Sequence, residues 1–337
     1  MSDPIGAVLR DATALNHFYP ELEPTLAMLF ARFNEEQSWQ KDLFRQETVT
    51  GAYYTLHAWM SPPNPSPFPR GQAIHSSGFG ELTMQVAVEN YKTDLMRWHR
   101  DDLADSRAPL SLRAQAELGM KRLMNYKDFV LQELLLGTAS TYLTPGFAFN
   151  NIFGGTGLFS SSHSYNGQTW DNSQPGSGTS AAALIDDLWT LIKNFQGAVD
   201  SEGNPYFTAS EVEEARYCIV IPDDLLQAFS QALKSEFLLE GGATAPSSNY
   251  TRTVFAAQMQ LKVYQRLTDA NNWYIFRTDI GTNERPFAEG SREGFRTQNW
   301  TESNSDDSRK TLYEGIRGVR RIAYAIGNPL YAQEVTN

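Results

Sequence analysis

The sequence predicts an α+β fold that carries an arm and a projecting finger, and three observations support that reading. Short alternating apolar runs and 3.6-period stripes follow one another along the same chain. One stripe, from about 111 to 136, is far longer than a usual helix. Between Met60 and Gly80 lies a proline-rich stretch that cannot form a helix at all.

At 337 residues, 41% hydrophobic and 12% aromatic, the chain can bury a large core as one domain or two lobes. Its 28 Lys+Arg against 39 Asp+Glu give a formal net charge of -11, which argues against a protein that coats nucleic acid. The single cysteine, Cys218, lies in the apolar run from Tyr217 to Pro222, so an intramolecular disulfide is excluded. A buried thiol in a reducing, cytoplasmic setting is expected. The first residues lack a basic segment ahead of an apolar core, and no stretch approaches the length of a membrane span, so no membrane partner is expected.

Residues 1–49 read as an arm: helical patches interrupted at Pro20 and Pro24, with Leu22, Leu26, Leu29 and Phe33 at helical spacing. Residues 50–100 read as an extended β-hairpin loop. Residues 50–60 and 82–95 alternate, notably Leu82, Met84, Val86 and Val88, and form the two strands of a long finger. Such a hairpin is marginal alone and must pack on something else. At its tip, prolines 62, 63, 65, 67 and 69 fix φ and remove backbone donors, leaving a polyproline-like segment. Fully extended it spans roughly 60 Å, against a radius of gyration of about 20 Å for a domain of this size. The tip is therefore long enough to lie on a neighbouring molecule, the alternative being a disordered surface loop, and Pro62, Pro65, Phe68, Arg70 and Phe79 are candidate subunit contacts. Trp98-His-Arg-Asp-Asp is the densest cluster of aromatic and opposite charges. Trp98 is a candidate anchor, and Arg100, Asp101 and Asp102 are candidate ion-pair partners across the same contact.

From Ser111 to Gly137 the positions 112, 116, 119, 123, 126, 130 and 134 carry Leu, Ala, Gly, Leu, Tyr, Val and Leu, one continuous helical stripe. Ser111 is placed to cap it and Gly137 to end it. A polar, glycine-rich connector follows. Thr179 or Ser180 then caps a helix with Leu184, Leu188, Leu191, Ile192 and Phe195 on one face. Next come a buried strand at 217–221, Pro222 at a helix start, and a helix holding Leu225, Leu226, Phe229, Leu233 and Phe237. Residues 261–267 and 273–276 read as a hairpin around the turn Asp269-Ala-Asn-Asn272, and 318–325 as the last strand. The order suggests a lobe at 180–285 inserted into a body made of 101–179 and 286–337.

The chain holds no P-loop, HExxH or GxSxG pattern. His163 lies among Ser160, Ser161, Ser162 and Ser164, but adjacent residues rarely reach triad geometry. A loop whose Ser and Asn side chains satisfy backbone groups is the preferred reading. Histidines 17, 57, 75, 99 and 163 show no zinc spacing, so neither a metal nor a cofactor is expected. Arg317, Arg320 and Arg321 form a short basic stretch that pairs with the acidic surplus. No catalytic residue is assigned, and the chain is not expected to be an enzyme.

These blocks, in this order, resemble the Mu-like bacteriophage major head subunit family, which has the Hong Kong 97-type (HK-97) capsid fold. The resemblance rests on Trp98-His-Arg-Asp-Asp before the long helix and Gly157-Leu-Phe-Ser-Ser-Ser-His163 with Asn166, Gly167 and Asn172 after it. Farther on come Tyr217-Cys-Ile-Val-Ile-Pro-Asp-Asp-Leu225, Leu261-Lys-Val-Tyr with Asn272-Trp-Tyr-Ile, and Tyr313-Glu-Gly-Ile-Arg-Gly-Val-Arg. It implies a spine helix within a peripheral domain (101–179 and 286–337), an inserted axial domain (180–285), the extended loop (50–100) and the N-terminal arm (1–49). It further implies a major capsid protein of a tailed phage or prophage. Such a protein assembles in the bacterial cytoplasm into hexamers and pentamers of an icosahedral head, and resides in the virion. Implied partners are other copies of the chain, a separate scaffolding protein, a portal and a decoration protein, with packaged double-stranded DNA touched only weakly. Two alternatives stand beside this reading: an encapsulin-like protein cage, and an acidic cytosolic hydrolase using His163 and a nearby serine.

Overall fold

The computed structural model describes residues 38–59, 81–99 apart from 94, most of 114–137, most of 150–199, and 205–234, 237–238, 247–248, 258–300 and 305–337 apart from 312. The described elements, in chain order, are α1 (Ser38–Lys41), β1 (Phe44–Thr48), β2 (Tyr53–Trp59), β3 (Glu81–Ala87), β4 (Glu89–Lys92), β5 (Met96–His99), α2 (Tyr126–Leu136), β6 (His163–Tyr165), β7 (Gln168–Trp170), β8 (Ser173–Pro175), α3 (Ala181–Gly197), α4 (Ala209–Glu213), β9 (Tyr217–Ile221), α5 (Leu226–Lys234), β10 (Phe237–Leu238), β11 (Ser247–Ser248), β12 (Met259–Val263), β13 (Trp273–Arg277), β14 (Phe287–Trp300), α6 (Asp306–Thr311), β15 (Tyr313–Ile326) and β16 (Ala332–Thr336).

β9 organises the interior. Its five residues, Tyr-Cys-Ile-Val-Ile, are all buried, because the strand lies inside the sheet β12-β9-β13-β16-β8 with both faces covered. Side chains alternate across a strand, so this one strand feeds two cores. Tyr217, Ile219 and Ile221 join Leu184, Leu188, Leu191 and Phe195 of α3 and Phe229 and Leu233 of α5. Cys218 and Val220 join Val130, Leu131 and Leu134 of α2 on the other face. The α3 stripe is buried as its spacing predicts, and the Ser180 hydroxyl accepts from the Ala183 amide at 3.2 Å, the expected cap.

Two local expectations fail for long-range reasons. The pair at 261–267 and 273–276 is no hairpin: β9 lies between, parallel to β12 and antiparallel to β13. Adjacent strands in sequence can part when a central apolar strand fits between them. The helix after Pro222 ends at Lys234, and Phe237 lies in β10, paired with Ser248 of β11. β16 and β8 also belong to this sheet although they lie outside 180–285.

Glu334 of β16 is partly buried beside β8, where the Ser173 hydroxyl donates to its Oε1 at 2.5 Å. Burial raises its pKa, and Asp171 adds to the effect. The folded carboxyl thus holds its proton more tightly than the unfolded one. Stability therefore falls as pH rises from 4.5 through the raised folded value, and stays lower above it. Glu334→Gln keeps an acceptor for Ser173 and removes the charge. Urea titrations at pH 7 are expected to show a gain on the order of 1 kcal/mol that fades below the carboxylate range.

The second sheet has the order β1-β14-β15-β4, with β5 also on β15. β14 and β15 are 14 residues each and pair from Phe287↔Ile326 to Trp300↔Gly315, with register shifts between Ser291 and Glu293 and between Glu293 and Arg296. β15 extends the expected strand 318–325 at both ends, and β14 was unforeseen. Of the predicted stripe from Ser111 to Gly137 the described residues are helical on both sides of Asn125, whose amide donates to the Lys121 carbonyl at 2.9 Å, and Ser111 lies outside the described residues. Residues 114, 118–119 and 121–123 are helical, Asn125 forms a turn with φ -70 and ψ -2, and α2 follows. Gly137 ends α2 as predicted, in the left-handed region at φ 59, with its amide donating to the Glu133 carbonyl at 2.9 Å. No helix among the described residues is long and apolar enough to cross a membrane.

Candidate assembly site

The predicted finger forms from β2 and β3, but residues 89–92, read as part of its second strand, form β4 on β15 of the other sheet. β2 and β3 pair antiparallel from Tyr53↔Ala87 at the root to Trp59↔Glu81 at the outer end. Tyr54 and Leu56 are buried on one side, where Ile152, Ala288, Ala323 and Ala325 make a shallow seat lined at its rim by Leu82, Met84, Val86 and Val88. Small residues in β14 and β15 are what allow a two-stranded ribbon to lie this close. At Gly290 a Cβ would lie 2.5 Å from Tyr54 Cγ, so Gly290→Ala must displace the ring or the strand. We expect a loss of about 1–3 kcal/mol in urea unfolding of the unassembled subunit, the usual range for overpacking.

Charge fixes the same root. The Arg45 guanidinium pairs with Glu47 at 2.6 Å and donates to the carbonyls of His57 at 3.3 Å and Asn283 at 3.4 Å, tying β1 to the finger. Deeper, Glu289 of β14 accepts Lys127 of α2 at 2.9 Å and Arg320 of β15 at 2.7 Å. The three side chains are only 11%, 5% and 13% exposed, in the order Lys127, Glu289, Arg320. Lys127 also lies 4.3 Å above the Phe44 ring. Burial lowers the Lys127 pKa, and the Glu289 carboxylate opposes that shift. Helix, ribbon and arm root therefore meet at one ion cluster. This includes Arg320 of the short basic stretch, which pairs with acid as expected.

Of the sequence-predicted contact residues, Trp98 lies in β5, paired through its backbone with Glu314 of β15. Pro62, Pro65, Phe68, Arg70, Phe79, Arg100, Asp101 and Asp102 lie outside the described residues. His163 is buried, with its ring stacked on Trp170 at 5.0 Å. Its Nε2 faces two acceptors, Asn172 Oδ1 at 2.9 Å and the Leu158 carbonyl at 3.2 Å, so this nitrogen carries the proton. Burial also lowers its pKa, which keeps the ring neutral. Asn172 Nδ2 donates to the Leu158, Pro329 and Ala332 carbonyls, and the Ser160 hydroxyl accepts from the Ser162 amide. The block is a hub that satisfies backbone groups, as preferred over a catalytic pair.

Sequence reasoning missed a concave site at the arm root. Trp39, Gln40, Asp128, Val263, Tyr264 and Arg266 line a cavity of about 510 Å³. The lining comes from three distant segments, at 39–40, 128 and 263–266, so no local pattern announces it.

No family model and no curated protein matches the sequence. Solved structures do match the fold. The capsid of an empty GTA particle aligns with a TM-score of 0.53 at 8% identity over 88% of each chain. The capsid of cyanophage P-SCSP1u aligns at 0.51 and 11% identity, and the mature capsid of bacteriophage PhiM1 at 0.50 and 10%, each over 88% of this chain and 86% of that one. The chain has the HK-97-type capsid fold. The β2–β3 ribbon packs on the β14–β15 ribbon through Tyr54 and Leu56, and the apolar side chains of α2 join Phe287, Ile322, Tyr324 and Ile326 of that ribbon in another core.

Proposed function

We propose that the chain is the major capsid protein of a tailed bacteriophage or prophage, assembling into hexamers and pentamers of an icosahedral head around double-stranded DNA. The supporting observation is the capsid fold joined to a two-stranded finger whose described part is seated on β14 and β15. Such a ribbon gains its remaining packing from neighbours, and many modest contacts close a shell through multivalency. In this reading α2 and the β14–β15 sheet belong to the peripheral domain and the β9 sheet to the axial domain. Trp98, Arg100, Asp101 and Asp102 with the proline-rich tip make the subunit contacts. Scaffolding, portal and decoration functions fall to separate proteins, and assembly takes place in the host cytoplasm. The acidic balance of -11 keeps contact with packaged DNA weak.

Negative-stain microscopy of the purified recombinant protein tests the proposal. Closed particles or capsomer rings are expected. A monomer that persists across concentration and salt overturns it, and shells carrying protein cargo instead of DNA would favour the encapsulin-like alternative.

A further inference from the structure

One face of the β14–β15 ribbon is basic in a chain whose net charge is -11. Side chains alternate across a strand, and on β15 Arg320, Ile322 and Tyr324 lie on the α2 side, so Arg317 and Arg321 share the other face with the seat of Tyr54. Residues directly opposed in paired strands lie on the same face. Pairing with Val319 therefore adds Arg296 of β14 and Lys92 of β4, and pairing with Gly315 adds Trp300 of β14 and Arg97 of β5. Glu293, opposite Arg321, is the one acid that these four strands place there, against those five cations. Lys92, Arg97 and Arg296 are exposed. The Arg317 guanidinium is held flat, donating from Nε and Nη2 to Gln298 Oε1 at 2.9 and 2.8 Å and lying 4.4 Å over the Trp300 ring.

We propose that this face docks a second copy of the chain through an acidic surface of that copy. Four arginines to one lysine beside a tryptophan is the composition of a protein contact, where arginine and tryptophan are enriched and lysine is depleted. The chain itself supplies the opposite charge, with 39 Asp+Glu against 28 Lys+Arg. The face cannot meet itself across a twofold axis, because its cations would then oppose the same cations. The contact is therefore heterologous, one face of one copy against a different face of the next, an arrangement that closes into rings. Salt gives it a definite sign. Screening the self-repulsion of a chain at -11 favours association, whereas screening an attraction between basic face and acidic surface opposes it. Salt should then weaken association. That the docked copy is the next subunit of a ring rests on the shell reading above.

Charge reversal tests the assignment. Lys92→Glu with Arg97→Glu is compared with Lys193→Glu and Lys234→Glu, exposed on α3 and α5, which change the net charge equally. Sedimentation velocity and negative stain are run between about 0.1 and 1 M NaCl, over which the Debye length falls from about 10 to 3 Å. The first variant is expected to need on the order of 10-fold more protein to associate and the second less than about 2-fold more, with wild-type association weakening as salt rises. Lys92→Gln with Arg97→Gln adds no new charge and is expected to fall between; it decides the matter if the reversed chain loses its circular dichroism. Equal losses in the two reversals, or association that strengthens with salt, show net charge acting alone and overturn the docking. Particles of the reversed chain at wild-type concentration overturn it while the shell stands. A salt-weakened soluble oligomer that the reversal abolishes, with no particles, keeps the docking and overturns the shell. Duplex DNA bound by the wild-type chain and lost by the reversed one assigns the face to nucleic acid and overturns the docking.

Discussion

Replacing residues 62–79 with an Asn-Gly turn is expected to abolish closed particles while leaving the subunit folded. The strands on either side still pair, because Tyr54 and Leu56 keep their seat on Ala288, Ala323 and Ala325 and the five residues then left between the paired Trp59 and Glu81 suffice to close an antiparallel ribbon. What is lost is the apolar area of Phe68 and Phe79, worth about 1.5–3 kcal/mol each when fully buried. The prolines also lower the entropy lost on ordering the segment. Repeated over every subunit, these terms decide assembly. Circular dichroism should be unchanged and microscopy should show no heads. Heads of normal size and heat resistance from the shortened chain would make the tip dispensable.

The largest stability effect is expected at Glu289. Glu289→Ala leaves Lys127 and Arg320 buried without their shared carboxylate, and breaking a buried pair in this way typically loses 3–5 kcal/mol, a large fraction of a domain's stability. The subunit should expand or precipitate, and the urea midpoint should collapse. Replacing Lys127, Glu289 and Arg320 together by methionine removes the uncompensated charges and should recover most of that loss. A single substitution as harmless as the triple one would show that the cluster contributes nothing to the junction of helix and ribbon.

Much of this architecture was legible where burial follows local periodicity. The α3 stripe, the alternation of Leu82, Met84, Val86 and Val88, the buried run at 217–221 and the Gly137 stop all rest on spacing within one segment. β14 was illegible because Phe-Ala-Glu-Gly-Ser-Arg-Glu-Gly looks like a loop. Its glycine and alanine are there to admit Tyr54, and its glutamate to pair Lys127 and Arg320, partners distant in sequence. The same holds for β9 between β12 and β13, a pairing settled by which strand covers both cores. For the assembly site, the finger was readable from alternation and proline content. The cavity was not, since Trp39, Asp128 and Tyr264 converge only in the fold.

The register shifts between Ser291 and Arg296 make the mechanical compliance of the molecule uneven. Before them, Phe287 to Gly290 are buried and clamped between β1 and β15; across them, Arg292, Gly294 and Arg296 are exposed. Bulged strands bend and twist more readily than regular ones. Bending of the ribbon is thus expected first at these few residues, next to the buried segment that carries Glu289 and the seat of Tyr54. In the shell proposed above, one sequence could then meet two local curvatures by flexing a joint of a few residues, without repacking either core.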